Sequence, residues 1–486
     1  MTAPLWTYDA LLAAVKGSPL GARPDVVTGI SIDSRTVEPG EAFFAIKGDT
    51  HDGHDFASMA LARGAATAIV ANSHLAGLGR TKGCLTIVAD VLEALRDLGA
   101  AARDRSSAGI VAVTGSVGKT GTKEMLAAAL APDGPVHFSP ASFNNHWGVP
   151  LTLSRMPVEA KYGVFEIGMN HPGEIEPLVK LVRPQVAIIT TVESVHLEYF
   201  KDVKAIAHAK AEIFLGLEKG GTAILNRDNP HYALLAKLAK EAGVERIVGF
   251  GEHKKADIRL ETVKLKEACS CVSASILGEK VSYKLGAPGR HLVQNSLAVL
   301  GAVAILGGDL AKAMLALAAL SPPKGRGERH VLQFARKGGA ATLIDESYNA
   351  NPASMRAAIG LLGQSQPVKD GRRVAVLGDM LELGKNASAM HATLAEQLAE
   401  AGVATVFLAG PLMRSLWDRL PKQQRGGYAE TAAELEPLVL KALAPGDVVM
   451  VKGSKGSRMG PLVAAIKARF APARATEEQR QEQETA

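Results

Sequence analysis

From Val111 onward, short runs of β-branched and apolar residues alternate with helical stretches. The runs are GIVAVTG, YGVFEIG, VAIITTV, TAILN and RIVGFG. Each run has the length of a buried strand, and the segments between them have the composition of helices. This alternation is typical of a parallel sheet wrapped by helices, so it predicts an α/β fold for the middle of the chain.

The pattern changes on both sides of this region. Between Ala256 and Leu285, period-two alternation predicts antiparallel strands that extend or cap the sheet, and the helical stretch PGRHLVQNSLAVLGAVAILGG follows. After SPPKGRGER a second α/β series begins, with ATLIDES, VAVLGD, ATVFLAG and DVVMVKG. Before Ser106, the stretches SIDSRTVEPGEAFFAIKGDTHDGHDF and RGAATAIVA indicate a smaller α/β unit.

These changes predict three domains, at residues 1–107, 108–327 and 328–470. A length of 486 residues with 47% hydrophobic and 21% charged residues is enough for several cores. The tail at residues 471–486 has no apolar side chain larger than alanine, so we expect it to be disordered.

Net charge and cysteine content exclude few classes of function. The net charge of +6 and the pI near 9.0 suit acidic small molecules, but also an ordinary solvated surface. Cys84, Cys269 and Cys271 form no disulfide framework and favour structural packing over metal binding. The start MTAPLWTYDALLAAV has no basic leader, and the longest apolar run falls short of the ~20 residues of a membrane span. We therefore expect a soluble protein of a reducing compartment.

A glycine-rich loop joins strand to helix in VAVTGSVGKTGTKEML. Gly115 and Gly118 let backbone N–H groups approach phosphate oxygens at a helix N-terminus. Lys119 can neutralise the β and γ phosphates, and the Thr120 hydroxyl can hold Mg2+. The loop is shorter than the usual GxxxxGK[ST] pattern, because Val113 stands where that pattern has glycine. Strand, loop, Lys-Thr and helix together predict nucleotide binding rather than an ordinary turn.

Two polar residues follow apolar strands where a ligand crevice is expected. Glu166 lies at the end of the run YGVFE, where a carboxylate is costly to bury without a cation or donors. We interpret it as a Mg2+ ligand rather than as part of a structural salt bridge. His196 follows the run VAIITTV and is either a second metal ligand or a capped loop residue; the sequence favours neither.

The segment DVKAIAHAKAEIFLGL places a lysine on an apolar helical face. If it forms one helix, Lys210 shares a face with Ile206, Ile213, Phe214 and Leu217. Burial favours the neutral amine, which can add carbon dioxide and become a carbamate, a bidentate anionic metal ligand. The alternative is a snorkelling lysine whose stem covers apolar surface, and helix position alone favours that alternative.

Three further stretches are polar for their surroundings. LNRDNP follows a strand, Asn295 lies on a helix otherwise built from Leu, Val and Ala, and Asp345 ends the strand in LIDESYNANP. Caps and Asx turns explain each one separately. Beside a phosphate loop, they have the composition of base and ribose contacts to a nucleotide.

The order of these motifs resembles that of the Mur ligases, three-domain enzymes of peptidoglycan synthesis that form amide bonds with ATP. TGSVGKT is similar to the family's short loop TG[ST]xGKT. Other similar stretches, over nearly the whole chain except its tail, are SIDSRTVEPGEAFFAIKG, SFNNHWGVPLTL, DESYNANPASM, AVLGDMLELG and VKGSKGSRM. The departures are small: Gly121 stands where members often have Thr, and His146 and Trp147 extend an asparagine pair.

The resemblance implies roles for the matching positions. ATP would contact the loop residues Gly115, Ser116, Val117, Gly118, Lys119 and Thr120, with Asn295 at the adenine and Arg326 and Asp345 at phosphate and ribose. The implied Mg2+ ligands are Thr120, Glu166, His196 and Lys210, the last as a carbamate, which reverses the preference from helix position. The expected catalytic residues are Lys119, Lys210, His196 and Glu166. Substrate would meet Ser34, Arg35 and Lys47 in a uridine pocket, and Asn144 and Asn145 beside a channel.

The implied fold class is α/β with a central P-loop mononucleotide-binding parallel sheet, a C-terminal Rossmann-like domain and a smaller N-terminal α/β domain. The implied reaction joins D-alanyl-D-alanine to UDP-N-acetylmuramoyl-tripeptide through an acyl phosphate. Members that add diaminopimelate carry DNPR in the C-terminal domain, which this chain lacks. A dipeptide instead suits the neutral groups of Tyr348, Asn349 and Asn351 and the cations Lys452, Lys455 and Arg458. We expect a cytoplasmic monomer that binds neither nucleic acid nor membrane.

Two alternatives stay open. One is another ligase of the superfamily, of the diaminopimelate-adding or folylpolyglutamate type. The other is a P-loop regulatory protein that binds ATP only as a switch. Lys210 on an apolar face and the asparagine pair in the channel argue against a switch.

Overall fold

The computed structural model describes residues 4–79, 81–195, 197–335, 338–368 and 370–471. Within them, three α/β units follow one another along the chain, and the predicted α/β fold class is confirmed. The central sheet begins at Gly109 and the C-terminal sheet at Glu328. Except for Ala471, the tail predicted to be disordered lies outside the described residues.

The N-terminal unit is a five-stranded sheet with a separate two-stranded ribbon. Its strands are β1 (Trp6–Thr7), β2 (Ser18–Leu20), β3 (Val26–Val27), β4 (Gly29–Ser31), β5 (Glu41–Phe44), β6 (Thr67–Ala71) and β7 (Leu85–Val88). Its helices are α1 (Tyr8–Ala14), α2 (Ala57–Ala62) and α3 (Val91–Asp104). The sheet order is β2-β7-β6-β5-β4, in which β4 to β7 run parallel, and β1 pairs with β3.

The central unit is a nine-stranded sheet in the order β16-β15-β14-β13-β12-β11-β8-β10-β9. The strands are β8 (Gly109–Thr114), β9 (Val136–Phe138), β10 (Tyr162–Glu166), β11 (Val186–Ile189), β12 (Thr222–Asn226), β13 (Arg246–Gly251), β14 (Ile258–Leu265), β15 (Ser270–Ile276) and β16 (Glu279–Leu285). The helices are α4 (Lys119–Leu130), α5 (Gly148–Ser154), α6 (Ile175–Val182), α7 (Val203–Ala211), α8 (Tyr232–Glu241), α9 (Arg290–Ile305) and α10 (Leu310–Ala318). β15 and β16 are the antiparallel extension that the alternation predicted.

The parallel strands β8, β10, β11 and β12 are buried on both faces of the central sheet, which explains why they are mostly apolar. In β8, Val111 and Val113 contribute to one hydrophobic core, and Ile110 and Ala112 contribute to another. Helices cover both faces, as is usual for parallel sheets. The apolar runs of the sequence are therefore strands with two packed sides.

The C-terminal unit is a six-stranded sheet in the order β17-β18-β22-β19-β20-β21, parallel except for β17. Its strands are β17 (Glu328–Gln333), β18 (Ala340–Glu346), β19 (Arg373–Gly378), β20 (Thr405–Ala409), β21 (Arg425–Ala429) and β22 (Val448–Lys452). Its helices are α11 (Pro352–Gln364), α12 (Ala387–Ala392), α13 (Leu394–Glu400), α14 (Arg414–Arg419), α15 (Ala432–Ala442) and α16 (Met459–Arg469). In the described part of the chain, no helix combines the length and apolar composition that crossing a membrane needs.

The N-terminal and central units share one hydrophobic core. Leu151 of α5 is fully buried in the same cluster as Leu98 and Ala102 of α3. The Trp6 indole N–H donates to the Ser154 carbonyl at 3.0 Å. The two units are therefore joined by packed apolar surface as well as by the chain between them.

Three adjacent parallel strands bring predicted site residues to one edge of the central sheet. β8 lies between β10 and β11, and Glu166 of β10 is in register with Val113 of β8. The glycine-rich loop follows β8, and Thr190 follows β11. Because the carboxyl ends of parallel strands meet at one edge, this edge is where a ligand crevice forms.

Candidate active site

The phosphate loop, Gly115 to Thr120, has a backbone that only glycine adopts easily. Gly115 has φ +150° and Gly118 has φ +89°. A Cβ on Gly115 would lie 1.9 Å from the Thr190 hydroxyl oxygen, and one on Gly118 would lie 2.5 Å from the Asn295 amide nitrogen. Neither position therefore has room for a side chain, and Asn295 lies directly against the loop.

We expect Gly118→Ala to raise the Kd for ADP about tenfold or more, since backbone strain of this kind costs on the order of 1–3 kcal/mol. The added methyl group would also push the loop away from Asn295. Isothermal titration calorimetry with ADP measures the effect. Gly243→Ala is the matched control, because Gly243 has φ +84° with no atom within 4 Å of its would-be Cβ. Equal ADP affinities in the two variants would contradict the assignment of the phosphate loop.

Lys119 and Thr120 lie at the start of α4, facing a shared cavity. The Lys119 ammonium donates to the Gly115 carbonyl at 2.8 Å. Burial lowers the pKa of Lys119, with Glu166 opposing the shift and Arg326 adding to it. This places one cation beside the loop's N–H groups, where the phosphates of a nucleotide would need it.

Glu166 is buried, with 3% of its surface exposed, and only one of its two carboxylate oxygens is satisfied. The Asn144 amide donates to Oε1 at 2.7 Å, while Oε2 is buried without a partner among the described residues. A buried carboxylate oxygen without a donor is costly unless a cation meets it. Together with the Thr120 hydroxyl in the same cavity, this oxygen fits Mg2+, which prefers oxygen ligands.

Lys210 is 1% exposed, which does not fit a snorkelling side chain. α7 ends at Ala211 and a 3-10 turn, Glu212–Gly216, follows, so the segment is not one helix as the spacing assumed. The expected apolar neighbours are nevertheless buried, Ile213 and Phe214 among them. Burial, followed by the charge of Lys119, holds the pKa of Lys210 well below its usual value of 10.5. The neutral amine that carbamate formation requires is therefore favoured.

A cavity of about 1030 Å³ between the central and C-terminal units brings most predicted residues together. The predicted residues that line it are Ser116, Val117, Gly118, Lys119, Thr120, Asn144, Asn145, Glu166, Asn295, Arg326, Tyr348, Asn349 and Asn351. Residues from separate units thus share one space, which can hold a nucleotide beside a second substrate.

Several predicted residues do not line this cavity. Gly115 and Lys210 lie behind its wall, and His196 lies outside the described residues. Asp345 is 4% exposed, and its Oδ1 accepts hydrogen bonds from the Ser347 N–H and hydroxyl at 3.0 and 2.6 Å. Its carboxylate lies within 4.8 Å of ligand atoms of Glu328 and His330. Asp345 therefore lies outside the cavity lining in this structure, and its contact with the ribose on closing of the C-terminal domain stays a prediction.

The three predicted uridine-pocket residues lie in the N-terminal unit, away from the cavity. Ser34 is buried and Lys47 is exposed. The exposed Arg35 guanidinium donates to both carboxylate oxygens of Asp33, at 2.9 and 2.7 Å. They follow β4 and β5, at the carboxyl ends of adjacent parallel strands.

The predicted acceptor residues use some of their polar atoms to hold their own loops. The Tyr348 ring lies 4.0 Å from the Arg326 guanidinium carbon. Asn349 Oδ1 accepts from the Ala350 N–H at 2.9 Å, and Asn351 Oδ1 caps α11. In both asparagines the amide nitrogen is the group left to meet a ligand.

The three predicted cations differ in burial and in whether they face the cavity. Lys452 is buried and donates to Glu346 and to the Asn349 carbonyl, each at 3.1 Å. Lys455 is exposed and lines the cavity, while Arg458, at the start of α16, is exposed outside its lining. Lys455 is therefore better placed than Arg458 to meet a carboxylate.

Sequence reasoning assigned no role to several residues that line the cavity, among them Ser142, His291 and Arg356. Ser142 lies with its hydroxyl oxygen 3.2 Å from that of Thr120, and no local pattern marks it. His291 precedes Asn295 by four positions on α9, a spacing that places both on one helical face and could have indicated it. Burial lowers the pKa of His291, opposed by Glu346. Arg356 is an exposed cation on α11 facing the cavity.

Comparison with known proteins finds similar proteins over most of the chain. Three family models match: the Mur ligase family catalytic domain at residues 26–77, the Mur ligase middle domain at 113–303, and the Mur ligase glutamate ligase domain at 331–455. The UDP-N-acetylmuramoyl-tripeptide--D-alanyl-D-alanine ligase of Rickettsia prowazekii (strain Madrid E) is 32% identical over 434 residues, 89% of this chain and 94% of that protein. The chain belongs to the Mur ligase family.

Solved structures of Mur ligases resemble the whole chain. MurF from Acinetobacter baumannii superposes with a TM-score of 0.82 at 30% identity, covering 96% of this chain and all of that one. MurF from Thermotoga maritima, solved in complex with ADP, gives a TM-score of 0.74 at 26% identity and covers 91% and 97% of the two chains. The resemblance inferred from the motifs is thus confirmed at the level of the Mur ligase family and its three-domain fold.

Proposed function

We propose that this Mur ligase family member is an ATP-dependent ligase that joins D-alanyl-D-alanine to UDP-N-acetylmuramoyl-tripeptide in peptidoglycan precursor synthesis. The Rickettsia relative is named for this reaction, and the Thermotoga MurF binds ADP. The observation that carries the proposal is the cavity that joins the phosphate loop, a carboxylate with an unpartnered oxygen, and the C-terminal wall. We expect the enzyme to act in the cytoplasm as a monomer.

In the first half-reaction, a carboxylate oxygen of the tripeptide attacks the γ-phosphorus of ATP. The bond from that phosphorus to the β-γ bridging oxygen breaks, ADP leaves, and an acyl phosphate forms. The phosphate loop N–H groups and the Lys119 ammonium hold the nucleotide's phosphates, and Asn295 meets the adenine. Arg326 reaches a phosphate from the C-terminal side of the cavity, and Asp345 needs a rearrangement to reach the ribose.

Mg2+ would be held by Thr120, Glu166, His196 and a carbamate on Lys210, and it would neutralise charge on the phosphoryl oxygens. Asn144 holds Glu166 Oε1, so Oε2 is the atom offered to the cation. Burial and the charge of Lys119 disfavour the Lys210 ammonium, and a carbamate would turn the neutral amine into an anionic ligand. Lys119, Lys210, His196 and Glu166 are therefore the proposed catalytic residues.

In the second half-reaction, the D-alanyl-D-alanine amine attacks the acyl carbon, the bond to the phosphate oxygen breaks, and the amine loses a proton. Tyr348, Asn349 and Asn351 would orient the dipeptide, and Lys455 would meet its carboxylate. Asn144 and Asn145 would border the tripeptide, with the uridine diphosphate at Ser34, Arg35 and Lys47. Closing of the two units around the cavity would exclude water, which otherwise hydrolyses the acyl phosphate.

The acceptor tests this function most directly. We expect kcat/KM for D-alanyl-D-alanine to exceed that for diaminopimelate by at least ~100-fold, because polar groups that the wrong acceptor covers without pairing them cost ~3 kcal/mol or more. Phosphate release is measured across UDP-muramoyl peptides and candidate amines. Similar rates with both amines, or extension of a UDP-linked dipeptide by one amino acid, would point to another ligase of the family. Turnover without any acceptor would instead favour an ATP-dependent switch.

A further inference from the structure

Lys123 is a fully buried cation one turn into α4, immediately after the phosphate loop. Its side chain is 0% exposed, and its ammonium donates to the carbonyls of Ser139 at 2.5 Å and Ala141 at 3.2 Å. The Glu124 carboxylate lies 2.9 Å from the same nitrogen. Burying a lysine is costly unless its charge is paired and its donors are used. The ammonium therefore holds two particular carbonyls in place.

Those carbonyls belong to the anchored loop, residues 139–145, which connects β9 to α5 without helix or strand. Its Ser142 hydroxyl lies 3.2 Å from that of Thr120, and its Asn144 amide donates to Glu166 Oε1 at 2.7 Å. Within the loop, the Ser139 hydroxyl donates to the Ala141 carbonyl at 2.6 Å. The loop thus contacts two proposed metal ligands, one on helix α4 and one on strand β10.

We propose that Lys123 is a positioning residue for the metal site. By fixing the Ser139 and Ala141 carbonyls, it holds the anchored loop so that Ser142 and Asn144 orient Thr120 and Glu166. This role rests on the proposed function, because it takes those two side chains as Mg2+ ligands. A purely structural role predicts something different: lower stability of the fold with unchanged metal affinity.

Mn2+ binding followed by electron paramagnetic resonance, with the full chain and ADP, distinguishes the two roles. We expect Lys123→Met to raise the Kd for Mn2+ about 10–100-fold, as is usual for losing an outer-shell partner. The Kd for ADP without metal should stay within about threefold of wild type, because the backbone N–H groups of the phosphate loop are unchanged. Lys161→Met is the matched control: it also removes an ammonium bound to a carbonyl, that of Asp133 at 2.8 Å, but at an exposed position.

A Mn2+ Kd in Lys123→Met equal to that of Lys161→Met would overturn the proposal. Circular dichroism reports whether the buried substitution folds. If Lys123→Met does not fold, the Ser142→Ala variant decides, because it removes only the hydroxyl that reaches Thr120. A severalfold weaker Mn2+ affinity in that variant supports positioning of Thr120 by the anchored loop, and an unchanged affinity overturns the proposal. Wild-type protein that binds no Mn2+ with ADP would refute the metal site itself, and this role with it.

Discussion

Replacing Lys119 by alanine is expected to lower kcat/KM for ligation by at least about 10³-fold while the protein stays folded. The loop backbone is kept, but the ammonium that donates to the Gly115 carbonyl is lost, and charge on a transferring phosphoryl group is what such cations stabilise. The substitution also removes an ammonium whose pKa burial lowers, so the fold loses no favourable charge. The measurements are ADP release in the presence of both substrates and the circular dichroism spectrum.

The control for this result is Lys180→Ala, which removes an exposed lysine paired with Glu176 on α6. It should retain wild-type kcat/KM, because surface ion pairs of this kind contribute little. Undiminished ADP release by the Lys119 variant would remove this lysine from the mechanism and leave the phosphate loop as a binding element only.

We expect the replacement of Lys210 by methionine to have two opposite effects. Activity falls by about 10³-fold or more, because methionine cannot form the proposed carbamate and the metal site loses an anionic ligand. Stability rises in bicarbonate-free buffer, because methionine fills the same space without a charge to bury. Wild-type protein under 13C-labelled bicarbonate should show a carbamate signal that this variant lacks.

The stability gain depends on pH. The pKa of Lys210 is lower in the folded protein than its usual value of 10.5, so between those two values the unfolded chain binds a proton that the native protein does not. The free-energy cost that Lys210 imposes on folding of the wild type is therefore largest below the folded-state pKa. It disappears as the pH rises to the unfolded-state pKa. We expect the methionine variant's advantage in urea unfolding to be larger at neutral pH than in alkaline buffer, where it should shrink.

Lys204→Met on the same helix is the control, since Lys204 is exposed and its loss should change neither activity nor this pH profile. An active wild-type enzyme that shows no carbamate under bicarbonate, together with a Lys210 variant that is less stable at neutral pH, would contradict both parts of the prediction.

The sequence predicted the fold well because the inner strands of the central and C-terminal sheets are buried on both sides. Strands such as β8 and β11 are apolar along almost their whole length, and the helices between them make the alternation clear. Gly115 and Gly118 were found for a related reason: the backbone conformation they adopt excludes other residues. Sequence patterns predict those features that burial of a strand or local backbone conformation determines.

Contacts between residues far apart in the chain were harder to predict from the sequence. The resemblance implied that Asp345 reaches the ribose when the C-terminal domain closes, but here its Oδ1 accepts from the Ser347 N–H and hydroxyl and it does not line the cavity. Ser142 reaches Thr120 only because a loop 22 positions away passes the start of α4. Such contacts depend on how a loop is held, and no periodicity along the chain encodes that.

The core shared by α3 and α5 has a consequence for synthesis on the ribosome. The N-terminal sheet cannot complete its interior until Leu151 has left the exit tunnel, well after the last N-terminal strand has been made. Nascent chains that end between the two should therefore expose apolar surface on α3 and be cleaved readily by protease, while chains extended past α5 should resist it. The first cooperative folding step of this protein thus spans two units, so the N-terminal sheet does not mature as an independent translation product.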